Sequence, residues 1–344
     1  MNVFSGCGSK YEKYRGQFYG TFDTVVELVG YVEREKDFDR YFAHAKERFQ
    51  YYNRLFDKYH TYDGVANIKT INDNAGTAPV KVEKELLDFL KFCLEWEDAA
   101  AGLVDITLGP VLSVWHDYRE LYKSSGDGEI PGMEELETAA ASAHAGELLL
   151  DEENSTVFLT HKGMSLDVGC AAKGYATEKV GDELYEMGFT SFSISGGGNV
   201  RTYDAPQDGV RDRWGISIGN PFMEDDPAAE PLDILFVRNC SVVTSGDYQR
   251  YYTVEGKRYH HIIDPKTLMP AEHYRSVTVV TEDSGVADFL STALFIADLE
   301  TGKELARRFD AQAVWVFPDG SMEVTESLTA QMKVLGGATA AREA

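Results

Sequence analysis

The spacing of apolar positions changes along this chain, and the changes separate strands from helices. Phe18–Val32 (FYGTFDTVVELVGYV) alternates with a period near two, which predicts a strand. From Asp37 to Tyr59 the apolar residues Phe38, Tyr41, Phe42, Ala45, Phe49 and Tyr52 recur at helical intervals, the pattern of a helix with one buried face. Val82–Ala101 predicts a second helix, and residues 102–115 enter a new element through VDITLGP. Residues 123–132 form a loop with Gly, Ser and Pro. Val157–Leu159, Ser165–Val168 and Phe192–Ile194 read as strands, and Ala171–Met187 as a helix stopped by Gly188. Strands Ser276–Thr281 and Ala313–Phe317 flank a helix over Gly285–Leu299. Residues 1–17 read as a tether, Met223–Pro231 as an acidic loop, and the chain after Leu335 as a small, polar tail that frays. No repeat of 20–50 residues is present. Strands and helices mix without strict alternation, so the fold class is α+β and not a doubly wound sheet.

Charge narrows the range of partners. The 344 residues carry 33 Lys and Arg against 57 Asp and Glu, a net charge of −24. Phosphate backbones need a basic footprint, so nucleic acid is not a partner. The same sign argues against electrostatic docking on anionic lipid. A hydrophobic share of 43% allows a sizeable core, and no run of 18 apolar residues predicts a membrane-spanning helix. The four cysteines form no CxxC pair, so neither a zinc site nor a disulfide framework is indicated. Cys93 falls in the apolar run LLDFLKFCLEW and reads as core. Cys7 lies in FSGCGSKYEKY, where small residues precede a cysteine and a polar tether follows. That resembles the cleavage box of a bacterial lipoprotein, without the apolar stretch that normally precedes it.

Five motifs carry candidate chemistry. In DVGCAAKGYA (Asp167–Ala176) a strand ends on a carboxylate, a turn follows, and a helix starts before Lys173. Such a turn offers helix N–H groups to an anion and carbonyls to a cation, or is an ordinary strand–turn–helix with a surface lysine. It is not a Walker A loop, which needs GxxxxGK[ST]. SGGGN (Ser195–Asn199) can let backbone approach a ligand as an anion nest, or is a plain turn. It lacks GxGxxG, so no Rossmann fingerprint is supported. His261 in HHIIDP, beside the Asp264-Pro265 turn, is a candidate general base or a structural histidine. Asp288, Ser291 and Thr292 share one stripe of an otherwise apolar helix. A carboxylate there is paired, metal-bound or capping the helix, and oxygen-only ligands suit Mg²⁺. In VDITLGPVLSVW (Val104–Trp115), Asp105 and Thr107 can hydrogen-bond a ligand, or the segment is a buried turn. A base plus a hard-cation site points to metal-assisted phosphoryl transfer.

Taken in order, YGTFDT, YDGVANIKTIN, VDITLGPVLSVW, LDVGCAAKGYA, ISGGGNV, VVTSGDYQRYY, YHHIIDP and ADFLST resemble the ApbE family, the FAD:protein FMN transferases. The resemblance covers residues 18–335, leaving 1–17 as tether and 336–344 as tail. It implies mixed, largely antiparallel sheets flanked by helices. The implied activity is Mg²⁺-dependent transfer of FMN from FAD to a Thr or Ser hydroxyl of an acceptor flavoprotein, with release of AMP. By the resemblance, His261 is the base, and Asp288, Thr292 and the carbonyl of Cys170 are metal ligands. Many relatives have Ala, Ser or Thr at position 170, a change to which a carbonyl ligand is indifferent. Tyr19, Tyr62, Leu103, Val104, Asp105, Asp167, Lys173 and Ile263 fall at positions resembling flavin-nucleotide contacts. Many relatives carry Met at the Tyr19 position. The family often carries a lipid anchor, which with Cys7 implies an extracytoplasmic protein, lipid-anchored at the bacterial cell membrane, or soluble if Cys7 is not a lipidation site. Other functions compatible with these residues are a Mg²⁺-dependent FAD pyrophosphatase, a non-catalytic FAD-binding protein and a purely structural module.

Overall fold

One large antiparallel sheet, with helices packed on one face, organises the chain. The computed structural model describes residues 10–223 and 229–342. Cys7 and most of the acidic 223–231 loop lie outside the described residues. In chain order the first elements are β1 (Glu12–Thr21), β2 (Thr24–Val32), α1 (Glu35–Phe56), α2 (Ile68–Asp73), β3 (Val80–Lys81), α3 (Lys84–Ala99), α4 (Gly109–Ser125) and α5 (Met133–Ala143). Next come β4 (Leu148–Asp151), β5 (Thr156–Leu159), α6 (Ala172–Glu186), β6 (Phe192–Gly196), β7 (Asn199–Tyr203), β8 (Trp214–Ile218), β9 (Asp233–Val237), β10 (Ser241–Gly246), β11 (Tyr251–Val254) and β12 (Lys257–His260). The last group is β13 (Ser276–Thr281), α7 (Ser284–Ile296), α8 (Leu299–Arg308), β14 (Gln312–Val316), β15 (Met322–Val324), α9 (Glu326–Thr329) and α10 (Lys333–Gly336).

The main sheet runs β1-β2-β6-β7-β10-β13-β14-β15, and every neighbouring pair is antiparallel. A three-stranded sheet (β3-β5-β4) and two ribbons (β8-β9 and β11-β12) complete the strands. Alternation along the central strands feeds two cores. Val243, Val277, Val279, Ala313 and Trp315 face the large core beneath α1, α3, α6 and α7. Val242, Val280, Val314 and Val316 face a smaller one closed by β8, β9, Leu328 and Met332. That is why β13 and β14 are buried along nearly their whole length. A third cluster joins Leu108, Val111 and Trp115 of the α4 region to Leu136, Tyr252, Ile263 and Leu268. The Trp115 Nε1–H donates to the Leu268 carbonyl at 2.9 Å and ties α4 to the loop after β12. This cluster forms one wall of the site.

Several boundaries differ from the sequence reading. The predicted strand 18–32 is a hairpin: Phe22 and Asp23 take positive φ (51° and 52°) and turn the chain. Its first strand starts at Glu12, paired with Val32, so the fold begins inside the segment read as a tether. Alternation continues through both arms, and the turn residues carry none of the Gly or Pro signal that would have marked the break. The tail read as fraying docks instead, with backbone bonds from Asp212 to Ala340 and from Arg342 to Val210. Ser165–Val168 forms no strand; Ser165 makes one parallel bridge to Leu108, and Asp167 N–H reaches the Ile106 carbonyl. Strand β12 ends at His260, so His261 stands just outside it.

Candidate active site

Helices α6 and α7 cross so closely that a glycine is required between them. A Cβ on Gly174 would lie 2.1 Å from the Ser284 carbonyl oxygen and 2.5 Å from the Cβ of Asp288. The contact lets the Gly174 N–H donate to Asp288 Oδ2 at 2.8 Å. Asp288 Oδ1 faces the Lys173 ammonium at 3.6 Å. The carboxylate is 4% exposed. Burial raises its pKa, against Lys173, the Gly174 N–H and the neighbouring Asn199 amide, which all favour the charged form. Asp288 does not cap its helix; that role belongs to Asp283, whose side chain accepts from the Val286 N–H. Around Asp288 sits a patch of hydroxyls. Ser291 donates to the Asp288 carbonyl at 2.9 Å and shares a 2.7 Å bond with Ser245, and Thr292 donates to the same carbonyl at 3.4 Å.

This patch opens into a cleft of about 1280 Å³, its open mouth included. One wall is apolar, with Leu108, Leu112, Trp115, Tyr252, Tyr259 and Ile263. The other carries Asp167, Cys170, Lys173, Asp288 and Thr292. His261 faces the same space, and its Nδ1 is buried without a hydrogen-bond partner. Its pKa falls to about 3 because of burial first, then the charges of Arg250, His260, Lys173 and Arg119. The ring is therefore neutral at pH 7. His260 differs. Its Nε2–H donates to the Ala271 carbonyl at 2.7 Å, while Nδ1 accepts from the Ile262 N–H, so both ring nitrogens serve the backbone.

A second cleft joins the first across Lys58, Tyr59, Asp167, Gly169, Lys173 and Arg250. Asp167 is bridged to Lys58 at 2.6 Å. Burial pushes this carboxyl up, but Lys58, the Gly169 N–H and Arg250 outweigh it and hold the pKa below the usual range. Tyr62 belongs to this second cleft, where its hydroxyl donates to Asp57 at 2.7 Å. The structure thus gathers His261, Val104, Asp105, Asp167, Cys170, Lys173, Ile263, Asp288 and Thr292 around the first cleft, with Tyr62 next door. Two sequence candidates line neither. Tyr19 is 68% exposed, because it alternates with the buried Phe18 along β1. Leu103 turns into the main core. The SGGGN turn also lines neither cleft. Its Gly197, at φ +64°, leaves no room for a Cβ against Thr24 and serves the turn between β6 and β7.

Sequence reasoning missed the cations Lys58, Arg119 and Arg250 and the aromatic wall of Tyr252 and Tyr259. Only the folding of α4, the β11–β12 ribbon and the segment after α1 brings them in. Among the described residues no three His, Cys, Asp or Glu side chains cluster as a metal site. The donors around Asp288 are instead one buried carboxylate with hydroxyls and nearby carbonyls. Such all-oxygen sets fit Mg²⁺, which usually takes one or two carboxylates and completes its shell with water and substrate phosphate.

The ApbE family model matches residues 22–315. The chain belongs to the ApbE family. The FAD:protein FMN transferase of Klebsiella pneumoniae (strain 342) is 30% identical over 280 residues, covering 80% of this chain and 82% of its own. The FAD:protein FMN transferase of Treponema pallidum (strain Nichols) is 30% identical over 281 residues, with 78% and 75% covered. The crystal structure of the ApbE protein from Thermotoga maritima superposes with a TM-score of 0.77 at 26% identity, covering 93% of this chain and 99% of that one. The flavin transferase ApbE of Vibrio cholerae shares the fold, with a TM-score of 0.74 at 22% identity, over 92% and 98%. The α+β architecture of this ApbE-family chain, with its antiparallel sheets and flanking helices, is the one its sequence resemblance implied.

Proposed function

We propose that this protein is an FAD:protein FMN transferase. It takes FAD, transfers FMN to a Thr or Ser hydroxyl of an acceptor flavoprotein, and releases AMP. The observation that carries the reading is His261, its Nδ1 without a partner, lining a cleft that also holds the Asp288 oxygen patch and a row of cations. In the reaction the acceptor oxygen bonds to the FMN phosphorus, the bond from that phosphorus to the bridging oxygen breaks, and AMP leaves with that oxygen. His261 takes the hydroxyl proton, a step that needs an unprotonated ring. Lys58, Lys173, Arg119 and Arg250 offset the charge of the FAD pyrophosphate. Asp288, Thr292 and the Cys170 carbonyl would hold Mg²⁺, which supplies charge neutralisation at the phosphates. Val104, Asp105, Asp167, Lys173 and Ile263 contact the nucleotide in the first cleft, and Tyr62 in the second.

Incubating the protein with FAD, Mg²⁺ and a candidate acceptor tests the proposal through the intact mass of the acceptor. A gain equal to FMN esterified with loss of water is expected. Release of FMN and AMP with no acceptor gain assigns the cleft to FAD hydrolysis instead. An extracytoplasmic location through a lipid on Cys7 completes the proposal. No helix among the described residues is long and apolar enough to cross a membrane. Expression of the full chain and its Cys7→Ser variant, followed by detergent partitioning and mass analysis of the N-terminal peptide, checks the anchor.

A further inference from the structure

Asp288 has one carboxylate oxygen committed and one open. Oδ2 is held by the Gly174 N–H, which cannot withdraw while α6 and α7 stay in contact. Oδ1 points to Lys173 Nζ at 3.6 Å, too long for a hydrogen bond. The Asn199 amide lies beside the carboxylate and favours its charged form. Oδ1 is the oxygen without a backbone donor, and a cation that takes it meets the Lys173 ammonium. Lys173 has space on both sides. It is anchored on α6, its side chain is 26% exposed, and it lines both clefts.

We infer that Lys173 is a charge-exchange residue that couples binding of the divalent cation to binding of the nucleotide. In the nucleotide-free protein its ammonium neutralises the buried Asp288. When a divalent cation occupies Oδ1, Lys173 turns to the anionic pyrophosphate of the nucleotide. A cation arriving alone must push Lys173 aside with no anion to receive it. A nucleotide arriving alone must draw Lys173 from a carboxylate that stays buried and charged. Each ligand removes the cost met by the other, and linkage makes the effect reciprocal. The inference rests on the transferase reading for the identity of the two ligands.

Binding of Mn²⁺, followed by its electron paramagnetic resonance signal, tests this without turnover. The proteins are wild type, Lys173→Met, Lys173→Arg and the double variant Lys173→Met/Asp288→Ala, each checked for fold by circular dichroism. Without FAD, Lys173→Met should bind Mn²⁺ on the order of tenfold more tightly than wild type, within the usual range of coupling factors. Lys173→Arg keeps the charge and should stay near wild type. Adding FAD should tighten Mn²⁺ binding more in wild type than in Lys173→Met. Four outcomes overturn the inference: Mn²⁺ binding no tighter in Lys173→Met, none detectable in either protein, equal tightening in Lys173→Arg, or tightening that survives loss of Asp288. The assay contains no acceptor. Failure of the transfer reading would appear separately, as an acceptor of unchanged mass.

Discussion

Replacing Gly174 with alanine tests the contact on which the site is built. The added Cβ would stand 2.1 Å from the Ser284 carbonyl oxygen and 2.5 Å from the Asp288 Cβ. Neither neighbour is the end of a flexible side chain, so relief requires the helices to part. Restoring an ordinary separation of about 3.5 Å needs a shift on the order of 1 Å. Overpacking of this kind costs about 1–3 kcal/mol, and a clash against backbone puts it at the upper end. Alanine returns about 1 kcal/mol through helix propensity, which leaves a net loss of about 2 kcal/mol. The same shift pulls the Gly174 N–H away from Asp288 Oδ2 and misplaces the carboxylate. Errors of about 1 Å in a catalytic geometry can cost about 10²-fold in rate. Urea denaturation reads the stability, and a Mg²⁺ titration of FMN transfer reads the site. Wild-type stability together with a wild-type Mg²⁺ requirement would refute the argument that this crossing positions Asp288.

The two adjacent histidines should separate cleanly. His261→Ala should lose at least about a hundredfold in transfer while still binding FAD. His260→Ala should chiefly lose stability, by about 1–3 kcal/mol for the backbone groups left unpaired. Equal rate losses in both would remove His261 as the base. FAD should raise the melting temperature by mass action, and FMN less; equal shifts would argue against recognition of the AMP half. Burial holds the His260 pKa at about 4, below its ordinary value of 6.5. Between those values the unfolded chain binds a proton that the native ring refuses. This stability is therefore present above pH 6.5 and lost as pH falls toward 4. Urea midpoints of wild type against His260→Gln should show wild type losing ground over that window, and a constant difference would show that His260 does not titrate.

The sequence by itself determined much of this protein. Helical spacing found α1, which buries one face, and α3, α6 and α7 were read within a few residues, although α7 is buried nearly all round. The i, i+4 pair Asp288 and Thr292, the DVGCAAKGYA turn and His261 were legible because chemistry-bearing residues stood out in apolar or glycine-bearing surroundings. The ordered motifs then pointed to one family across most of the chain. The tertiary structure alone decided what depends on distant segments meeting. Lys58 reaches Asp167 across 109 residues, and Gly174 reaches Asp288 across 114, contacts to which no local pattern refers. The same holds for the two histidines. Side by side in sequence, they differ because the Ala271 carbonyl and the Ile262 N–H occupy the ring of His260 and leave His261 Nδ1 unpaired. Gly174 was the less legible glycine: it is fixed by a neighbouring helix, yet has the same single-letter signal as the turn glycine Gly197. Local periodicity reports which face of an element is buried. What that face meets, and which polar atoms are left open for a substrate, is set by packing between elements far apart in the chain.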